Sequence, residues 1–356
     1  LFCVWWKWEV KPRVYARVEN VLEFNQEILT MVAAVTVRQD GFAELAYVGE
    51  TPWHGLGQEL VAGAGIETWK KAAGMDWQIQ RSVVRYTTHE ADATLLELPE
   101  QHVLFRSDTK APLSVVSSKY RIVQPGEVLE FFRDLTDANG YTLTTAGTLF
   151  GGRQFWALAA IGEDAVVVGD DKIGGYLLLS SSCDGTLATT ARFTTVRVVC
   201  NNTLSMALRG AAKREVVVRH TSRFDAESVK QQLGLARDRF GEFLKAARRL
   251  AQVPVSVEHA EQFVNELLVD SRAAVGDDVR QSKQFQKIMD LFRGRAIGAE
   301  QHDATGNAWA LVNSVTEFVD HHTRAKTDSH RLASAWFGRG DRLKTAALER
   351  ALALAA

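Results

Sequence analysis

The chain has 356 residues, of which 46% are hydrophobic and 24% charged, with a formal net charge of -1. That length supports two domains, each with its own core. Near-neutrality excludes a bulk electrostatic drive toward nucleic acid or a membrane surface, so any such attraction must be local.

Residues 1–30 carry a tryptophan cluster without periodicity and precede Met31, where ordinary sequence begins. They are expected to be a non-native or upstream-translated leader outside the fold; an aromatic segment docked on the body is the alternative. Residues 66–76 place Ile66, Trp69 and Ala73 at helical spacing and stop at Gly74. The run from Trp77 alternates as a strand, and residues 101–124 read as a hairpin turning between Asp108 and Pro112. Pro125 opens a helix that Asn139-Gly140 ends. Two further hairpins turn at Gly151-Gly152 and at Asp184-Gly185. Asn201 and Asn202 are expected to cap a helix, and Glu215 begins another strand. After about residue 223 the period becomes helical. Leu233 to Leu250 read as one long amphipathic helix, followed by helices around Phe263, Phe285 and Leu311 and more helix to the C-terminus.

The expected fold is α+β: a mixed, mainly antiparallel sheet domain with packed helices over residues 40–222, then a helical domain over 223–356. Three widely spaced cysteines, Cys3, Cys183 and Cys200, argue against a disulfide framework or a structural zinc site and point to a reducing, cytoplasmic compartment. No apolar run reaches the roughly 18 residues that a membrane span requires, so no membrane partner is expected.

Six motifs follow one another along the chain: AYVGETPWHGLGQEL, KYRIVQPGEVLEFF, GGRQFWALAAI, VRVVCNNTLSMAL, GNAWALVNSVTEFVDHH and SAWFGRGDRLKTAALERAL. Together, from about residue 40 to the C-terminus, they resemble the phage/plasmid-like protein family built on domain of unknown function 932. The resemblance implies a phage, prophage or plasmid gene acting inside a bacterial cell. It supplies no activity and no catalytic residue.

Chemistry must then be sought residue by residue. Trp53, His54, Gly55 and Gly57 form a motif turn. The glycines permit a tight bend, and His54 has no carboxylate or nucleophile near it in sequence, so a shaped turn is expected rather than a catalytic base. Glu317, Asp320, His321 and His322 cluster near the end of a helix, with Glu317 and His321 four apart on one face, a spacing that allows shared metal ligation, but no HExxH pattern accompanies them and no metal is expected. Cys183 beside Asp184 reads as a small core residue at a hairpin bend rather than a nucleophile. FGRGD holds only GxG, without a strand before it, and no phosphate-loop signature occurs. No cofactor is expected.

The segment Arg192–Arg249 is more informative, with thirteen Lys or Arg against five Asp or Glu. Such a segment either tracks phosphates or supplies solvated faces that pair with the acidic remainder. Arg153 at a hairpin tip, with Arg192, Arg197, Arg209, Lys213 and Arg214, forms the expected nucleic-acid-contacting set. The leading expectation is a non-enzymatic nucleic-acid-binding factor of mobile-element replication or recombination, acting on single-stranded or duplex DNA. In outline it is similar to single-strand annealing proteins, which work without ATP as oligomeric rings. That is analogy of fold alone. A homo-oligomer is therefore expected as well. Two alternatives stay open: a non-catalytic module binding a host or phage protein, and an enzyme centred on His54 or on Glu317 and His321.

Overall fold

The computed structural model describes residues 35–49, 56–88, 94–138, 140–162, 164–197, 202–205, 215–233, 236–271, 279–297 and 305–355. Strands β1 (Leu45–Tyr47) and β2 (Gln58–Glu59) lead to helix α1 (Ile66–Ala72). Strands β3 (Ile79–Thr87), β4 (Leu95–Arg106) and β5 (Pro112–Ser117) follow, then helices α2 (Pro125–Glu130) and α3 (Arg133–Ala138). Next come β6 (Thr142–Leu149), β7 (Gln154–Ala160), β8 (Ala165–Val168), β9 (Asp171–Ser182) and β10 (Thr189–Arg197). β11 (Asn202–Ser205) and β12 (Glu215–Val218) are the last strands among the described residues.

The turn residues act as their chemistry requires. Gly151 and Gly152, with φ of 71° and 92°, reverse the chain between β6 and β7, a left-handed geometry that side chains with a Cβ resist. Asp184 Oδ1 accepts from the Thr186 amide at 3.0 Å, closing the bend from β9 to β10. The resulting sheet runs β11-β10-β9-β7-β6-β1-β2, with β12 also on β10 and β8 also on β9. All its pairs are antiparallel except β1 with β2. β3-β4-β5 form a separate antiparallel sheet. These layers are α+β, as expected.

Helices dominate afterwards: α4 (Ala226–Leu233), α5 (Ala236–Ala251), α6 (Val257–Asp270), α7 (Lys283–Asp290) and α8 (Ala308–Glu317). α9 (Asp328–Phe337) and α10 (Arg339–Leu354) end the described chain. Ser256, Ser282, Asn307 and Thr327 precede α6, α7, α8 and α9, and each side chain accepts from an amide three residues on. Such caps fix where a helix starts.

Several expectations need revision. Asn202 does not cap a helix. Asn202–Ser205 is strand β11, laid antiparallel on the end of β10, because the open edge of β10 supplies backbone partners that a local reading cannot see. Leu233 and Leu250 belong to separate helices, and the segment opened by Pro125 divides into α2 and α3 around the buried Phe131 and Phe132. The apolar core is also continuous across residue 222. One cluster joins Met75, Phe132, Leu179 and Phe193 to Phe243, Leu267, Ile288, Leu311 and Leu348. α8 is its axis: all ten of its residues are buried, and Trp309 Nε1 donates to Asp171 Oδ2 of β9 at 2.8 Å. A smaller cluster on the other sheet face gathers Leu45, Leu149, Trp156, Leu158 and Leu178, partly covered by Trp336 and Phe337.

Candidate functional site

Two charged networks run through the fold, each built on a buried carboxylate with a partly exposed partner. Glu44 has no exposed surface and accepts from Arg106 Nη2 at 2.6 Å, Arg106 Nη1 at 3.0 Å, Arg38 Nε at 2.7 Å and Thr148 Oγ1 at 2.5 Å. Arg106 also donates to both oxygens of Asp108, at 3.0 and 2.8 Å, and lies 4.1 Å from the centre of the Trp77 ring. These bonds from Arg106 hold the Asp108 carboxyl at about 2. The Glu44–Arg106 pair at its centre is buried, and the network joins the start of β1 to the end of β4.

The second network lies in a π-helical turn, Phe318–His322, that continues α8. Glu317 accepts from the Ile297 amide at 3.0 Å and faces His322 Nε2 at 3.4 Å. His322, not His321, shares its face, because a π turn brings residues five apart into line where an α-helix aligns those four apart. Burial pushes the His322 imidazole below its ordinary range, against the bond to Glu317. Asp320 binds Lys344 at 2.7 Å, both of them buried. Among the described residues, no three His, Cys, Asp or Glu side chains are grouped to hold a metal ion.

The residues expected to act are scattered. Trp53, His54 and Gly55 lie outside the described residues, as do Arg209, Lys213 and Arg214. Gly57 is needed for shape: its φ is 113°, and a Cβ there would stand 2.9 Å from Leu45 Cδ2. Arg153 is exposed and donates Nε to the Phe150 carbonyl at 3.0 Å. Arg197 ends β10, in register with Asn202. Arg192 must be withdrawn from the phosphate-contacting set. It is 7% exposed, binds Asp341 at 2.8 Å and sits over the Phe337 ring, bolting α10 to the sheet. Lys230 binds Asp134 at 2.9 Å, and Arg248 donates twice to the Val166 carbonyl. Among the segment's basic residues whose exposure is described, Arg192 alone is buried, while Arg219, Arg223, Lys245, Arg248 and Arg249 are exposed. Cys183 is 1% exposed, and burial pushes its thiol up to about 12, which suits a core residue and not a nucleophile.

A cleft of about 770 Å³ opens among α6, α7, α9, α10 and the π turn. Arg324, Arg339, Arg342 and Arg350 line it, with Asp270 the single carboxylate among its described lining residues. Arg350 binds Asp270 and reaches Glu266 at 3.3 Å. Arg324 and Arg342 are exposed and have no acid within ion-pair distance among the described residues. The glycines of FGRGD explain the crossing: a Cβ on Gly340 would stand 2.7 Å from Val319 Cγ1 and 3.0 Å from the Ser334 carbonyl oxygen. This is a helix-to-helix junction, not a dinucleotide fingerprint. Arg339 and Arg342 thus ride the first turn of α10, whose cap Gly338 offers no side-chain acceptor. That is the positive end of the helix dipole, where a cation costs about 0.3–1 kcal/mol and an anion is favoured. Arg339 and Arg350, eleven apart, share a face of α10, which the sequence shows; Arg324 reaches the cleft from another segment, which it does not.

Comparison with curated proteins and with solved structures gave no match. Residues 112–336 match the family model described as "Domain of unknown function (DUF932)". The match starts at β5 and runs through the large sheet and the helical layer to α9, well over half of the chain. The chain belongs to the DUF932 family.

Proposed function

We propose that this protein is a non-enzymatic nucleic-acid-binding factor that takes phosphates in the arginine-lined cleft. One observation carries the reading: Arg324 and Arg342 stand exposed beside the amino end of α10 with no described acid to neutralise them. Guanidinium forks match phosphate oxygens, and the positive end of the α10 dipole favours an anion at the same mouth. The resemblance to phage- and plasmid-borne proteins supports a role in mobile-element replication or recombination in the bacterial cytoplasm. Strand annealing fits such a site, since pairing two strands requires charge neutralisation and no catalytic group.

The test is anisotropy of labelled single-stranded and duplex DNA titrated with the full chain at several salt concentrations. Binding should weaken as salt rises, with a log–log slope of about -0.7 per phosphate neutralised on single strands. Arg324→Ala with Arg342→Ala should reduce that slope by roughly 1.4, whereas Arg295→Ala, exposed elsewhere and paired with Asp290, should leave it unchanged. No binding at low salt overturns the proposal. Binding of polyglutamate in preference to DNA would reassign the cleft to an acidic protein segment.

A further inference from the structure

The β3–β4 ribbon departs from the rest of the fold. β5 pairs only with Gln101–Phe105 of β4, and the register of β3 on β4 jumps between Val83, opposite His102, and Val84, opposite Leu98. Pro99 lies in the residues that the jump leaves over, where its missing N–H is tolerated. Beyond this bulge, Val84–Thr87 and Leu95–Leu98 form a two-stranded ribbon. Isolated ribbons of this kind are marginal in water.

Its two faces differ. Directly opposed residues share a face, so Val84 with Leu98 and Tyr86 with Leu96 make one apolar stripe. Tyr86 is 49% exposed, Leu96 37% and Leu98 43%. The other face carries Arg85 bound to Glu97 at 2.8 Å, so these two strand segments hold no net charge to recruit a polyanion. β3 is also the edge strand of its sheet. Its first residue is closed by Gln124, which both donates to and accepts from the Ile79 backbone. From Gln80 to Thr87, β4 is the only backbone partner among the described residues.

We infer that the β3 edge and its apolar stripe are the docking surface for a second copy of this chain. A strand edge related to itself by a twofold axis runs antiparallel to its copy, so every free donor meets a free acceptor. Charge selects the register. With Val83 opposite its own copy, Arg81 would face Arg85 of the other chain, a like-charge pair that is destabilising. With Val84 opposite its own copy, Arg81 meets Thr87 and Arg85 meets Val83. The two stripes then merge into one apolar surface across a six-stranded sheet. Neutral charge, apolar character and an open edge are thus met together by the same surface on another copy.

Sedimentation velocity of the full chain over a wide concentration range tests this, with circular dichroism to verify folding. The wild-type chain should form dimers. Leu96→Glu with Leu98→Glu, and separately Val84→Pro, should give folded monomers, whereas Val61→Glu, at an exposed site elsewhere, should still dimerise. Under mild oxidation Val84→Cys should give a covalent dimer absent from the wild-type blank, and Tyr86→Cys should not, because Tyr86 would face Ser82. A wild-type monomer at every concentration overturns the inference, as does a dimer that persists in both ribbon variants. Because the readout is mass and not ligand binding, it stands whether or not the cleft takes nucleic acid.

Discussion

Glu44 shows what single residues do in this fold. Its carboxylate is buried among donors from β4, from the segment before β1 and from β6. Removing it leaves the buried Arg106 guanidinium balanced only by Asp108 among the described residues, so Glu44→Ala should cost on the order of 3 kcal/mol, read from urea unfolding. The nearby glycines are part of the same constraint. A Cβ on Gly74 would lie 2.5 Å from Glu44 Cγ, and one on Gly147 would lie 2.6 Å from its carbonyl oxygen. At Cys183, modification by a thiol reagent should follow global unfolding and not precede it, since little thiolate forms near neutral pH when burial holds the group at about 12. The Glu44 network is not legible in the sequence. Glu44, Arg106 and Thr148 lie far apart in sequence, and nothing local marks an acid as buried. The acidic and histidine cluster at the end of α8 is legible, but α-helical spacing pairs Glu317 with His321, whereas the π turn presents His322.

At the scale of elements, local chemistry decides most boundaries. The hairpins at Gly151-Gly152 and Asp184-Gly185 were legible because a turn that needs φ above zero writes its residue into the sequence. β11 was not, since Asn202 is a good cap and the partner edge comes from elsewhere in the chain. α8 combines both kinds of control. Asn307→Ala should cost about 1 kcal/mol through loss of the cap to Ala310. Trp309→Phe should cost about 1–3 kcal/mol, because the buried Asp171 loses a donor. Thermal melts of the two variants measure both, and the second should be the larger.

For the molecule as a whole, an apolar core that runs unbroken from the sheet into the helical layer predicts one cooperative unit. A single unfolding transition should be seen, with the same midpoint by tryptophan fluorescence and by circular dichroism. Acid should unfold the chain. Bonds from Arg106 hold Asp108 at about 2 against an ordinary 3.8, and bonds from Arg133 and Lys70 hold Glu130 at about 2 against 4.5. The unfolded chain therefore binds more protons between about pH 5 and 2, and stability falls as pH drops through that window. His322, depressed by burial from an ordinary 6.5, adds the same sign from a higher pH. Midpoints of urea unfolding across the acid range measure the slope. The cleft is a property of this scale too. Its arginines come from the segment after the π turn and from the first turn and far end of α10, and only the packed helices bring them to one mouth.

The π turn at Phe318–His322 has a consequence for the length of the chain. It accommodates one residue more than an α-helical turn would, and each residue swings the following side chains by about 100°. Deleting a single residue there would keep the segment helical while turning everything after it onto a different bearing. Asp320 would then no longer meet Lys344, and Arg324 would leave the mouth it shares with Arg342. At this position spacing is as much a specification as identity, so homologous chains should conserve the count of residues between Glu317 and Arg324 more strictly than the side chains themselves.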